Sequence, residues 1–246
     1  MKLYLKIFIL LTSVFLIRCK QEAPTKEEVK KHNSVKYATG FSIEKHEGYT
    51  VLEVTNPWPN ATKKFTYILQ KAGTTLPKNS TKDAVVISVP VKKIVVTSTT
   101  HIPSLEMLGV ENSLVGFPKL DYISSKKVRD LIHQNKITEL GNNQSLNIEQ
   151  LLQLQPDVII GYGLDNSNPV LTNVERSGLK VMFNGDWNEQ NPLGKAEWIK
   201  FFGALYDKSE IGKTLNQAPT TQAKKGGCLK VPHAIDCDQP KFSSMS

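Results

Sequence analysis

The chain has 246 residues, of which 39% are apolar, 8% aromatic and 22% charged. That length leaves room for one large domain or two small ones, and the composition excludes a fibrous or wholly disordered chain. The formal net charge is +8, but the lysines are scattered and the arginines are only Arg18, Arg129 and Arg176. A nucleic-acid surface would gather Arg and Lys on one face, so no nucleic-acid partner is expected and the charge reads as a solvated, lysine-rich surface.

Lys2 and Lys6 flank the start of the chain, and an apolar run follows from Ile7 to Ile17. The run is too short to cross a bilayer as a helix, and it fits the apolar region of a secretory signal peptide. Cys19 comes next, in Leu16-Ile17-Arg18-Cys19. The segment resembles a bacterial lipobox, in which cleavage precedes a cysteine that becomes diacylated; Arg18 stands where a small residue is usual. A plain signal peptide with an incidental cysteine is the other reading. Lipidation at Cys19 would hold the protein to a membrane of the bacterial cell envelope, on its periplasmic side or at the cell surface. Residues 1–19 are thus expected to be a lipoprotein signal peptide and 20–36 a polar tether.

The β-prone stretches 49–54 and 65–69 flank the turn-rich Asn56-Pro57-Trp58-Pro59-Asn60, which predicts a β-hairpin. From Ala84 the rhythm changes to short β-branched runs alternating with short helices. Strands are expected at 84–89, 94–98, 114–117, 158–160 and 179–183. Helices are expected at 104–108, at 126–135 after Ser124 and Ser125, from Asn147 to Pro156, and from Asn168-Pro169 to Gly178. In the third of these, Ile148, Leu151 and Leu152 should share the buried face. Such alternation indicates a mostly parallel sheet, whose ligands bind beyond the carboxyl ends of the strands. A longer helix is expected from Asn191-Pro192, with an apolar stripe of Leu193, Ala196, Ile199, Phe202, Leu205 and Tyr206 running on toward Leu215. Beyond it the pattern collapses.

Several stretches, in order, resemble the binding proteins that serve iron-siderophore, haem and cobalamin ABC importers. They are Val91-Lys92-Lys93-Ile94-Val95-Val96, Leu105–Gly109 with Leu114-Val115-Gly116, Leu140-Gly141, Asn147-Ile148-Glu149-Gln150-Leu151-Leu152, Pro156-Asp157-Val158-Ile159-Ile160, Gly178-Leu179-Lys180-Val181 and Phe202-Gly203-Ala204-Leu205-Tyr206. The resemblance implies an α/β fold: a Rossmann-like lobe with a mostly parallel sheet flanked by helices, preceded by an N-terminal β-hairpin and followed by a long connecting helix. The expected divisions are 37–90 for the hairpin and a lead-in strand, 91–190 for the lobe, 191–215 for the connecting helix and 216–246 for a disordered or aberrant tail. Members of this class carry a second lobe of similar size, and the short remainder after residue 215 is expected to lack it, as in a truncated form.

The resemblance also implies roles. Glu149 sits where the family has an exposed carboxylate that docks on arginines of the permease dimer; a helix-dipole preference explains it equally well. Tyr162 and Trp187 fall in strand-end loops, where they would lie against an iron chelate or corrinoid or else plug the loop by packing. Thr100 and His101 lie in the first strand-end loop, and a solitary His is more often structural than a ligand. Cys228, His233 and Cys237 supply fewer ligands than a zinc site needs. Dinucleotide, phosphate-loop and nucleophile-elbow motifs are absent from the sequence. The expectation is therefore a solute-binding lipoprotein, not an enzyme, with no cofactor, metal or catalytic set. The alternatives are a Rossmann-like enzyme domain and a non-functional gene remnant.

Overall fold

The structure, a computed structural model, describes residues 33–77 and 83–208. The signal peptide with Cys19, the tether up to residue 32, the end of the expected connecting helix and the tail with Cys228, His233 and Cys237 lie outside the described residues.

Strands β1 (Phe41–Lys45), β2 (Tyr49–Val54), β3 (Phe65–Lys71) and β4 (Ala84–Val89) form one sheet in that order. The expected hairpin is its middle: β2 and β3 pair antiparallel, from Val54 opposite Phe65 to Tyr49 opposite Gln70. Two strands surround it. β1 alternates Phe41 and Ile43 inward with Ser42 and Glu44 outward and pairs antiparallel with β2. β4 pairs parallel with β3 instead of leading into the next sheet, because its alternate residues Ile87 and Val89 continue the apolar face begun by Leu52, Val54, Tyr67 and Leu69.

A second, wholly parallel sheet contains β5 (Ile94–Val96), β6 (Leu114–Phe117), β7 (Thr138–Glu139), β10 (Val158–Gly161) and β11 (Val181–Phe183), in the order β11-β10-β5-β6-β7. β8 (Gly141–Asn142) and β9 (Ser145–Leu146) make a small hairpin beside it. Side chains alternate faces along a strand, and both faces of this sheet are buried, as parallel sheets require. Ile94, Val96, Ile160 and Met182 join one core cluster with helices α1 (Ile102–Met107), α2 (Lys126–His133) and α6 (Ile199–Leu205). Val95, Ile159 and Val181 join the other, with α3 (Ile148–Leu154) and α4 (Pro169–Arg176).

The helix starts follow the expected caps. Ser125 Oγ accepts from Val128 N at 3.2 Å, Asn147 Oδ1 from Gln150 N at 3.1 Å and Asn168 Oδ1 from Leu171 N at 3.0 Å. Each satisfies an amide that the helix leaves unpaired. In α3, Leu151 is fully buried and Leu154 packs beside it, whereas Leu152 is 45% exposed. The inward face of α3 is therefore Leu151 flanked by the half-buried Ile148 and Leu154, and Leu152 is not part of it. The Pro156-Asp157 entry to β10 also has a physical role. Asp157 Oδ2 accepts from the amides of Lys92 (2.7 Å) and Lys93 (2.9 Å), closing the entrance of β5.

The expected single long helix is divided among the described residues. α5 (Pro192–Glu197) ends at Trp198, and α6 runs from Ile199 to Leu205. The stripe read from sequence fails in the first turn, where Leu193 and Ala196 are exposed. Glu197, fully buried, and Lys200 take the inward positions. Glu197 accepts hydrogen bonds from the amides of Lys36, Tyr37 and Ala38 at 2.5–2.8 Å, and from Lys200 Nζ at 2.6 Å. Lys200 Nζ also donates to Ser34 O at 2.9 Å. Burial pushes the Glu197 pKa up, but these donors outweigh it and hold the carboxyl below its usual range. Every residue of α6 is buried, as expected of a helix enclosed on all sides. Phe41 of β1 packs on Trp198 with ring centroids 4.3 Å apart, while Phe202 and Leu205 belong to the same core as the parallel sheet. The helix thus lies between the two sheets.

Glu197→Ala should strand three backbone amides and a buried ammonium. Removing one member of a buried pair costs about 3–5 kcal/mol, so the denaturation midpoint in urea should fall sharply. An unchanged midpoint would show that the anchor carries little of the stability.

Candidate functional site

All strands of the parallel sheet end on the same side, and the loops that leave them define its carboxyl edge. Thr97, the first residue after β5, is buried. Its amide donates to Ile160 O at 3.0 Å, its hydroxyl donates to the same oxygen at 3.3 Å and accepts from Tyr162 N at 3.3 Å. This ties the ends of β5 and β10 together and fixes the backbone of Tyr162. The β8–β9 hairpin brings in Asn143, whose Nδ2 donates to Thr97 O at 3.2 Å and to Tyr162 Oη at 3.3 Å.

Two adjoining cavities of about 280 and 320 Å³ result, and both are lined by Thr97, Asn143 and Tyr162. The first extends over Gln144, Leu164 and Asn168, the second over Ser98, Lys119 and Tyr122. Tyr122 and Leu164 stand 68% and 67% exposed on the walls. Hydroxyls, amides and uncovered apolar surface in a concave setting suit non-covalent holding of a ligand. Among the described residues, no group of three or more His, Cys, Asp or Glu could hold a metal ion.

Of the four candidate ligand residues read from sequence, the structure places Tyr162 in both cavities and Thr100, His101 and Trp187 in neither. Thr100 is exposed and donates to Asp186 Oδ1 at 3.2 Å. Trp187 is half-buried against the second core cluster, the packing alternative for this residue. His101 is fully enclosed, its ring 5.5 Å from that of Phe202. Glu149 is exposed on the first turn of α3 and lines neither cavity. Tyr122 and Leu164 lie in loops that follow parallel strands, where a ligand is expected, but Asn143 was not foreseen. Its only signal was the turn-forming pair Asn143-Gln144, flanked by strands of two residues each.

Neither ring nitrogen of His101 has a hydrogen-bond partner among the described residues, and Asp186 Oδ1 lies 3.9 Å from Nε2. Burial lowers its pKa from 6.5 to about 4, against the weaker opposing attraction of Asp186. Above pH 6.5 the ring is neutral in both folded and unfolded chains. Between pH 6.5 and 4 the unfolded chain binds a proton that the folded chain does not, so stability falls as pH falls. The loss over that window should reach about 3 kcal/mol. His101→Leu should flatten the stability profile there, measured by urea denaturation at stepped pH, and an unaltered slope would remove His101 as its source.

The periplasmic binding protein family matches residues 94–218, half of the chain. Two uncharacterized lipoproteins of Methanocaldococcus jannaschii are similar: one is 26% identical over 59% of this chain and 36% of its own length, the other 27% identical over 74% of this chain and 45% of its own. The chain thus spans less than half the length of these relatives. Among solved structures, a periplasmic haem-binding protein from Pseudomonas aeruginosa matches 52% of this chain and 42% of its own, with 21% identity and a TM-score of 0.41. The parallel sheet with helices on both faces, and the ordered match from β5 through α6, show that the chain belongs to the periplasmic binding protein family.

Proposed function

We propose that the chain is the solute-binding component of an ABC importer, and that the carboxyl-edge cleft contacts an iron chelate or a corrinoid. The observation that carries this reading is the cleft itself. Thr97, Asn143 and Tyr162 form a hydrogen-bonded floor, and Tyr122 and Leu164 leave apolar surface uncovered beside it. Large exposed side chains on a concave wall gain free energy when a ligand covers them, at about 25 cal/mol per Å² of apolar surface removed from water. A bulky, partly apolar ligand with hydrogen-bonding groups at its edge matches that surface.

The family and the lipoprotein relatives support a place in the cell envelope. On this reading Cys19 carries the lipid anchor, and Glu149 pairs with arginine on the permease dimer. A carboxylate suits that contact because it accepts a bidentate pair of hydrogen bonds from guanidinium. Glu149 is exposed on the first turn of α3, where it is free to do so.

Fluorescence titration of the full chain with cyanocobalamin, haemin and a ferric trihydroxamate should reveal saturable binding of at least one probe. Tyr162→Ala should weaken that binding about tenfold or more. Binding of a sugar or amino acid, with none of the three probes bound, would overturn the ligand class.

Two further substitutions separate the partners. Glu149→Lys should depress uptake by cells carrying the permease while leaving probe affinity unchanged; a matching fall in affinity would move Glu149 into the ligand site. Cys19→Ala should abolish labelling by a fatty-acid analogue, and equal label in both proteins would exclude lipidation at Cys19.

A further inference from the structure

The antiparallel sheet lies outside the segment that matches the family, yet its β2–β3 turn packs on a loop that lines the cleft. Trp58 is 4% exposed and sits in an aromatic cluster, with ring centroids 5.7 Å from Phe65 and 5.3 Å from Phe183. Its Nε1 donates to Asn166 Oδ1 at 3.0 Å. The same oxygen accepts from Thr62 N and Thr62 Oγ1, both at 3.3 Å, and Asn166 Nδ2 donates to Asn60 O at 3.5 Å. Asn166 belongs to the loop after β10, between Tyr162 and the Asn168 cap of α4.

The approach is close because glycine permits it. A Cβ at Gly163 would lie 2.4 Å from Trp58 Cε3, and one at Gly185 would lie 2.7 Å from Pro57 Cα and 2.8 Å from Asn56 O. Both glycines follow strands of the parallel sheet, β10 and β11. The turn therefore seats on two carboxyl-edge loops at once, and one of them carries Tyr162, Leu164 and Asp165 of the cleft wall.

We propose that residues 56–62 are a positioning element of the cleft: the hydrogen bond from Trp58 to Asn166 and the seat of its ring on Gly163 hold the loop 162–168 in shape. The ends of that loop are fixed by other bonds, Tyr162 N to Thr97 Oγ1 and Leu171 N to Asn168 Oδ1. Its middle is held by Asn166. In Trp58 an indole serves both needs, an apolar body for the cluster and a donor for the loop. The binding consequence rests on the cleft being the ligand site; the positioning itself does not.

The test uses the full chain. Trp58→Phe keeps an aromatic ring against Phe65 and Phe183 and removes the donor, and Asn166→Ala removes the acceptor. Amide hydrogen exchange should speed up about fivefold or more in 162–168 in either variant, in keeping with the loss of one hydrogen bond, with little change in α2. The double variant should exceed Asn166→Ala by no more than a small margin, because Asn166→Ala already removes the acceptor of Trp58 Nε1. If cyanocobalamin, haemin or a ferric trihydroxamate binds the parent chain, its affinity should fall in both variants, at least as far in Asn166→Ala as in Trp58→Phe. If none binds, the ligand reading of the cleft fails and the exchange data alone decide the positioning role. Unchanged exchange in 162–168, or an equal rise throughout the chain, would overturn the proposal.

Discussion

The buried carboxylate of Glu197 governs how the described parts of the molecule fit together. A charge inside a protein is tolerable only when it is paired and fully hydrogen-bonded, and here the partners come from opposite ends of the described chain. Three amides at Lys36, Tyr37 and Ala38, and the ammonium of Lys200, converge on it. Glu189 repeats the device one step away, accepting from Thr39 N at 2.8 Å. These bonds hold the segment leading into β1 against α5 and the residues before it, and Lys200 Nζ ties the same segment to α6 through Ser34 O. The antiparallel sheet is thereby laid over a helix whose other side covers the parallel sheet. The exposed amides of segment 34–39 find acceptors, and the apolar faces of both sheets find cover, in one arrangement.

The same arrangement leaves the carboxyl edge of the parallel sheet open. Helices must cover both faces of such a sheet, but its strand ends carry only loops. Those loops are stiffened from within by Thr97 and Asn143. From outside they are met by the turn around Trp58, and β11 donates a hydrogen bond to the buried Tyr67, whose hydroxyl accepts from Phe183 N at 2.8 Å. Burial pushes the Tyr67 pKa well above its ordinary value, so the phenol stays neutral. Rigid loops around a concave, partly apolar surface lose little freedom when a ligand arrives.

The sequence made the parallel sheet legible where its signals were local. Continuous apolar runs at Ile94-Val95-Val96 and Val158-Ile159-Ile160, and caps at Ser125, Asn147 and Asn168, depend on neighbours a few residues away. Glu197 and Lys200 were not legible, because an acid and a lysine three residues apart on a helix ordinarily face water. Only segment 34–38, remote in sequence, makes them interior. β7, β8 and β9 are two residues each, too short for any period to show. The candidate site divides in the same way. The strand-end loops could be foreseen, since parallel strands end together, but which side chains enter the cleft depends on distant packing. Phe202 and the enclosed ring of His101, or Trp187 and the second core, are pairs that no local pattern announces.

On the proposed function, the carboxyl edge of the parallel sheet is the face that contacts the ligand. Backbone amide NMR spectra of the full chain, recorded with and without saturating cyanocobalamin and then with a ferric trihydroxamate, test it most directly. The probe that binds should shift resonances in 97–100, 117–122, 142–146 and 162–168 together and leave β1 and β4 unmoved. Shifts centred on the antiparallel sheet or on α3, with the carboxyl-edge loops silent, would contradict it.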